Sequence, residues 1–202
     1  IEFIQGKTHK TLTDAVTINK FENIRSDLEK LEIASRIVQV CDNLVAREER
    51  DEKIWQLLAE VFNRLDNCKV ENSLEMNKFL AGECGNEQVP RKRVWKLEII
   101  YYYFLWNLLS ILGYEINLYH CAVCQKKLEP ENLYFNFKEG GIIDSGCYQK
   151  IKDGKAILPE VIKILRLFLK KDWNTLLKLK IGDDHRDQLE LISEEYFLNY
   201  RK

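Results

Sequence analysis

Three cysteines and one aspartate in this chain have the types and spacing of a metal site. Cys121 and Cys124 form a Cys-x2-Cys pair, and after nineteen residues Asp144-x2-Cys147 repeats the interval. Zinc takes four tetrahedral ligands, usually thiolate or imidazole and sometimes carboxylate. Two x2 pairs about 15–20 residues apart are the spacing of a zinc module. One of the four ligands here is an oxygen, a harder and weaker partner for zinc than sulfur. A three-sulfur, one-oxygen set carries the charge of four thiolates and is expected to hold Zn2+ less tightly, in a structural role. His120 is the alternative fourth ligand. It adjoins Cys121, and adjacent residues rarely aim at one ion, so Asp144 is favoured. The plain alternative is three half-buried thiols with no metal.

Other cysteine chemistry fits less well. A deaminase zinc needs a His-x-Glu partner to its Pro-Cys-x2-Cys, and a metalloprotease needs His-Glu-x2-His; neither motif occurs in the sequence. A redox Cys-x2-Cys opens a helix after a strand, whereas this pair follows Leu118-Tyr119-His120 in an expected loop. The remaining cysteines, Cys41, Cys68 and Cys84, are scattered and make no disulfide framework. A reducing, cytoplasmic setting follows. The chain begins Ile-Glu-Phe without an initiator Met, and no signal peptide is read at its start.

The elements that must position these residues are mostly helical. Residues 1–18 read as short strands about a turn at Gly6. Ile24, Leu28 and Leu31 then share one helical face. Ala34, Ile37, Val38, Cys41, Leu44 and Val45 continue the period, and Ile54, Leu57, Leu58, Val61, Phe62 and Leu65 repeat it. Leu74, Phe79 and Leu80 predict a shorter helix, and residues 81–90 a loop. Pro90 opens the most apolar segment, and Gly113 closes it. Residues 99–112 carry only Asn107 and Ser110 as polar residues. That is short of the roughly 20 residues of a bilayer span, so a central interior helix is expected, with Tyr101, Tyr102, Tyr103 and Trp106 in the core. Leu133–Phe137 alternates as a strand, Gly140-Gly141 turns, and Ile142-Ile143 returns. Pro159 starts a helix through Val161, Ile164, Leu165, Phe168 and Leu169. A last helix holds Leu189, Ile192, Tyr196 and Tyr200.

The predicted fold class is therefore mainly α: a helical bundle domain with a small inserted zinc-ribbon-like β-hairpin module. The expected divisions are 1–18, a helical domain at 19–117, the insert at 118–150, and C-terminal helices at 151–202 packing on the helical domain.

Charge is balanced, with 31 Lys and Arg against 32 Asp and Glu among 202 residues. Bulk charge therefore gives no argument for nucleic acid or membrane, and any basic surface must be local. Arg91, Lys92, Arg93 and Lys96 are the densest basic cluster. At a helix start they oppose the dipole, so phosphate contact is a candidate role. Lys126-Lys127 and Lys170-Lys171 are weaker candidates. Trp173 among Lys170, Lys171 and Lys178 can be read as an exposed aromatic for an acidic partner tail, or as a packed helix-end Trp.

The stretches FLWNLLSILGYEINLYHCAVCQ (104–125) and NFKEGGIIDSGC (136–147) resemble the bacterial recombination mediator family RecO. Gly113, Tyr114, Leu118, Cys121, Cys124, Gly140, Gly141 and Cys147 fall on that family's pattern. LTDAVTINKFENIRSDLEKL (12–31) is similar to its passage from an N-terminal domain into the first helix. Asp144 departs from the pattern, standing where the family often has a third cysteine. The resemblance implies that residues 1–18 are a remnant of an N-terminal OB-fold. It also implies a non-enzymatic, nucleoid-associated role in DNA repair and recombination. Its implied partners are single- and double-stranded DNA, RecR, the C-terminal tail of single-stranded DNA-binding protein and, indirectly, RecA, with no membrane. The rival readings are a helical scaffold that binds protein alone and a thiol redox enzyme.

Overall fold

The computed structural model describes residues 2–6, 10–14, 16–45, 51–69, 91–179 and 181–200. The described chain starts with an antiparallel hairpin, β1 (Glu2–Gln5) and β2 (Lys10–Asp14). Three helices follow: α1 (Glu22–Ser26), α2 (Leu28–Leu44) and α3 (Glu52–Asn67). Then come α4 (Arg91–Ile111), β3 (Leu133–Asn136), β4 (Gly141–Ile143) and α5 (Ser145–Ile151). The last elements are β5 (Lys155–Ile157), α6 (Pro159–Leu169), α7 (Trp173–Leu176) and α8 (Asp183–Tyr200). The protein is mainly helical with small antiparallel sheets. No helix among the described residues is long and apolar enough to cross a membrane.

The apolar run becomes the axis of the fold. Leu97 and every residue from Ile99 to Leu109 are buried in α4, because α2, α3, α6 and α8 pack around it. Each fully buried large side chain contributes about 1.5–3 kcal/mol, so this one helix anchors the core. Its polar atoms are satisfied within that core. Asn107 Nδ2 donates to the Tyr103 carbonyl at 2.8 Å and to the Phe168 carbonyl at 3.1 Å, tying α4 to the end of α6. Trp106 Nε1 donates to Ser193 Oγ at 2.9 Å, and its ring stacks on Tyr196. The helix ends as Gly113 predicts. That residue takes φ 89°, its N–H reaches the Ser110 carbonyl, and the Tyr114 N–H reaches the Leu109 carbonyl at 2.8 Å. This is a Schellman closure.

Two expectations along the first helices are corrected. Ile24, Leu28 and Leu31 do not share a buried face, since Ile24 is interior while Leu28 and Leu31 are exposed. The chain breaks at Asp27, whose carboxylate caps α2 by accepting the N–H groups of Glu29 and Lys30. That restart turns the interior face of α2 to Ile33, Ala34, Ile37, Val40 and Leu44, and leaves Val38 outside. Lys30 is buried with its ammonium on the Asp66 carbonyl at 2.9 Å. The helix read at 74–80, the loop at 81–90 and Cys84 lie outside the described residues.

The second sheet has order β4-β3-β5, all antiparallel. Phe135 pairs with Ile142 and Lys155, and Tyr134 with Ile143 and Ala156. The hairpin of β3 and β4 is where alternation places it, whereas β5 is a strand the pattern does not disclose. Its three residues run exposed, exposed, buried. Only Ile157 feeds the core, so no alternation is long enough to read.

Candidate metal centre

Beyond Gly113 the chain is turned by Asn117, whose Oδ1 accepts the N–H groups of Tyr119 and His120, each at 2.9 Å. Residues 119–121 then run antiparallel to 126–128. The Leu128 N–H donates to the Tyr119 carbonyl at 2.9 Å, the Cys121 N–H donates to the Lys126 carbonyl at 2.8 Å, and His120 bridges Lys127. Gln125 makes the turn with φ 59°. The Ala122 N–H donates to the Ile142 carbonyl at 2.8 Å, laying this knuckle on β4. Gly141 allows the approach, since a Cβ there would stand 3.2 Å from Ala122 Cβ.

The second half of the site comes from the sheet. Strand β4 delivers Asp144, which caps α5, and the first turn of α5 brings Cys147 round. Asp144 Oδ1 accepts the Cys147 N–H at 2.8 Å, and Oδ2 accepts the Cys124 thiol at 3.0 Å. The ligand atoms of Cys121, Cys124, Asp144 and Cys147 all lie within 4.8 Å of one another. Metal–sulfur bonds of about 2.3 Å at tetrahedral angles put sulfurs about 3.8 Å apart, so the group has the dimensions of a four-coordinate site. His120 stands outside it. Cys121 and Cys147 are buried, Asp144 is half-buried and Cys124 is exposed.

The electrostatics are those of four acids sharing one small volume. The Asp144 carboxyl is held down to about 2, first by the Cys124 thiol and then by the Cys147 N–H. Burial raises the Cys121 thiol, but the backbone N–H groups of Cys124, Asp144 and Val123 outweigh it and the net direction is downward. The Cys124 thiol is raised, chiefly by its hydrogen bond to Asp144. Burial pushes the Cys147 thiol up to about 12. A cation would reverse this order, because a coordinating thiol gives up its proton to the metal. The four residues can therefore hold a metal ion.

The small core under the site is separate from the main one. It consists of Cys121, Ile143 and Cys147, flanked by Ala122, Leu128 and the stacked rings of Tyr134 and Tyr148. So few buried groups are a weak anchor on their own, the situation in which small modules draw on metal or disulfides.

Comparison with known proteins places the site in a lineage. A family model described as "Recombination protein O C terminal" matches residues 93–201, which is more than half of the chain. The chain belongs to the RecO family. It is similar to the "DNA repair protein RecO" of Dehalococcoides mccartyi (strain ATCC BAA-2266 / KCTC 15142 / 195), with 28% identity over 191 residues, covering 95% of this chain and 65% of that protein. It is also similar to that of Caldanaerobacter subterraneus subsp. tengcongensis, 25% identical over 193 residues with 95% and 67% covered. A third relative, from Halalkalibacterium halodurans, is 21% identical over 190 residues with 94% and 64% covered. The chain thus spans about two thirds of the length of these RecO relatives, and the family match takes in α4 from Arg93 onward, the knuckle and the helices after it.

The other sequence-derived candidates fall in different places. Arg91, Lys92 and Arg93 belong to the first turn of α4, but their side chains lie outside the described residues; Lys96 is exposed on that helix. Tyr101, Tyr102, Tyr103 and Trp106 are interior, as expected. Trp173 is not the exposed aromatic that one reading supposed: it is 6% exposed. Its Nε1 donates to Glu60 Oε1 at 3.0 Å, its ring packs on Tyr103, and Arg64 covers it at 4.3 Å. Lys170 and Lys171 beside it are exposed. Sequence reasoning missed two groupings. Glu60 gathers Trp173, Tyr103 and Arg64. Arg166 holds the Leu118 carbonyl and lies 4.4 Å from the Tyr119 ring. Apart from the i, i+4 pair of Glu60 and Arg64, these groupings join residues more than forty positions apart, a separation that no local pattern marks.

Proposed function

We propose that this chain is the helical and knuckle-bearing part of a RecO-type DNA repair mediator, acting by binding rather than by catalysis. One observation carries the reading: the stretch matched by the family model is the stretch that gathers Cys121, Cys124, Asp144 and Cys147 around one point. The metal is Zn2+, and its role is structural. It closes the knuckle on the β3–β4 hairpin as a zinc-ribbon-like module. Residues 1–18 are the remnant of an OB-fold, 19–117 the helical domain, 118–150 the insert, and 151–202 the C-terminal helices. Single- and double-stranded DNA are the ligands. Arg91, Lys92, Arg93 and Lys96 supply phosphate contacts, the role suited to a basic cluster at a helix start, where its charges oppose the helix dipole. RecR and the acidic tail of single-stranded DNA-binding protein are the protein partners, and loading of RecA the outcome, in the nucleoid-associated cytoplasm.

The test is anisotropy of labelled single- and double-stranded oligonucleotides titrated with the chain at low salt, then repeated as salt rises. Affinity should fall with a log–log slope of about −0.7 per phosphate contact on single strands and about −0.9 on duplex. Undetectable binding of either oligonucleotide at low salt would replace this reading with a scaffold that binds protein alone.

A further inference from the structure

We infer that the cleft between the knuckle and α6 is a base-stacking site for single-stranded nucleic acid, centred on Tyr119. This rests on the DNA-binding reading above and gives it a location that the basic cluster of α4 does not. The cleft has a volume of about 440 Å³ and lies between residues 115–119 and the end of α6. Tyr119 is 44% exposed, yet its backbone is fixed: its N–H is held by Asn117 and its carbonyl by Leu128. The Arg166 guanidinium lies 4.4 Å from its ring centre and the Lys170 ammonium 5.7 Å away. Arg166 is itself immobilised, donating from Nε at 3.1 Å and from Nη2 at 2.5 Å to the Leu118 carbonyl. An exposed aromatic ring on a fixed backbone, with a guanidinium over one face, is an arrangement in which a base stacks on the other face while nearby cations neutralise its phosphates.

The cationic surface extends beyond the ring. Lys126 sits across the knuckle ladder from Cys121, which shares a side of that ladder with Tyr119, and it is exposed. Lys170 and Lys171 continue it on the other side. Glu115 at the rim is the opposing charge in the cleft. A run of separated cations suits a phosphate backbone better than a single carboxylate. The alternative occupant, an acidic peptide with an apolar end, would need an open aliphatic socket. Of the aliphatic groups that line the cleft, Ile116 and Leu118 are buried and Leu169 alone is half-buried, too little for such a socket. Lys170 is thereby assigned to nucleic acid in preference to a protein tail.

The experiment uses the full chain, with its metal as purified, and a short fluorescein-labelled oligothymidylate, with a duplex of equal length beside it. Tyr119→Leu should weaken single-strand binding about tenfold, within the range for one stacked base, while leaving the salt slope and duplex affinity unchanged. Tyr119→Phe should retain wild-type affinity. Lys170→Gln and Lys126→Gln should each flatten the single-strand salt slope by about 0.7. Far-UV circular dichroism of each variant shows that an exposed position has been changed without unfolding. Three results would overturn the inference. If the wild-type chain binds and Tyr119→Leu binds equally well, this cleft is not the site although the DNA reading stands. If an acidic, hydrophobic-ended peptide depends on Tyr119 and the oligothymidylate does not, the occupant is protein. If wild-type binds neither oligonucleotide at low salt, the DNA reading and the site fall together.

Discussion

The Sγ of Cys124 lies 3.0 Å from Oδ2 of Asp144, while the other oxygen of that carboxylate caps α5. One side chain thus does two jobs, and substitutions can part them. Asparagine caps a helix about as well as aspartate but is a neutral, poor metal ligand. Asp144→Asn should keep the cap, and so cost the metal-free chain less than Asp144→Ala, and lower metal affinity at least about tenfold, the order of loss seen even for weaker perturbations of metal sites. Asp144→Ala should lose metal affinity and also about 0.5–2 kcal/mol from the missing cap. Asp144→Cys should tighten zinc binding, as a softer ligand. Elemental analysis of chelator-free preparations, with competition against a chromophoric chelator, checks all three. Equal metal content in wild type and Asp144→Asn would exclude the carboxylate as a ligand.

Removing the metal should loosen one part of the molecule and spare the other. The knuckle stands over a satellite core of three buried residues, whereas α4 is enclosed by four helices. Hydrogen exchange after chelation should show lost protection at the amides of Cys121, Ala122 and Leu128, whose acceptors are Lys126, Ile142 and Tyr119. Amides in the middle of α4 should stay protected, because local opening follows local contact density. Uniform loss across both regions would mean that the two cores unfold as one.

How much of this was legible in the sequence follows from the range of the interactions. The central helix was readable because enclosure on all sides leaves a nearly unbroken apolar run at 99–112, closed by Gly113. The four candidate ligands were readable because Cys-x2-Cys spacing is what the geometry of one ion asks for. The break at Asp27 was not: aspartate signals a cap, but the apolar period runs through Leu28 and Leu31 as though the helix continued. Burial of Lys30 was hidden for another reason, since its partner is a backbone carbonyl 36 residues away. Trp173 had two readings, and Glu60, which decided between them, lies 113 positions upstream.

Alkaline stability should fail early and cooperatively. Burial raises the phenols of Tyr101 and Tyr103 to about 12, with Glu194 and Glu60 respectively adding to the shift, and burial also raises Tyr102 and Tyr196. Above the ordinary value of 10 the unfolded chain releases these protons and the folded chain keeps them. The folded state then binds more protons, so stability is complete below pH 10 and falls as pH rises through about 12. Tyrosinate absorbance followed together with far-UV circular dichroism should show the buried phenols ionising in step with loss of helix. Ionisation of all nine tyrosines with helix intact would contradict the interior placement of these four.

The interior position of Trp173 gives a last prediction that separates packing from presentation. Of the four tryptophans, Trp55 is 66% exposed, while Trp95, Trp106 and Trp173 are each buried. Acrylamide should quench one accessible component of the fluorescence, and Trp55→Phe should remove it with little effect on stability. Trp173→Phe should leave that component in place. Glu60→Leu attacks the same arrangement from beneath. It strands the Trp173 indole N–H and the Tyr103 hydroxyl and deprives Arg64 of its partner. A buried donor left unsatisfied costs about 1–3 kcal/mol, so urea unfolding should show a loss of that order, with Trp173 emission shifted to the red. If the accessible component vanished in Trp173→Phe instead, this indole would face solvent, and the role of Glu60 as its interior partner would have to be given up.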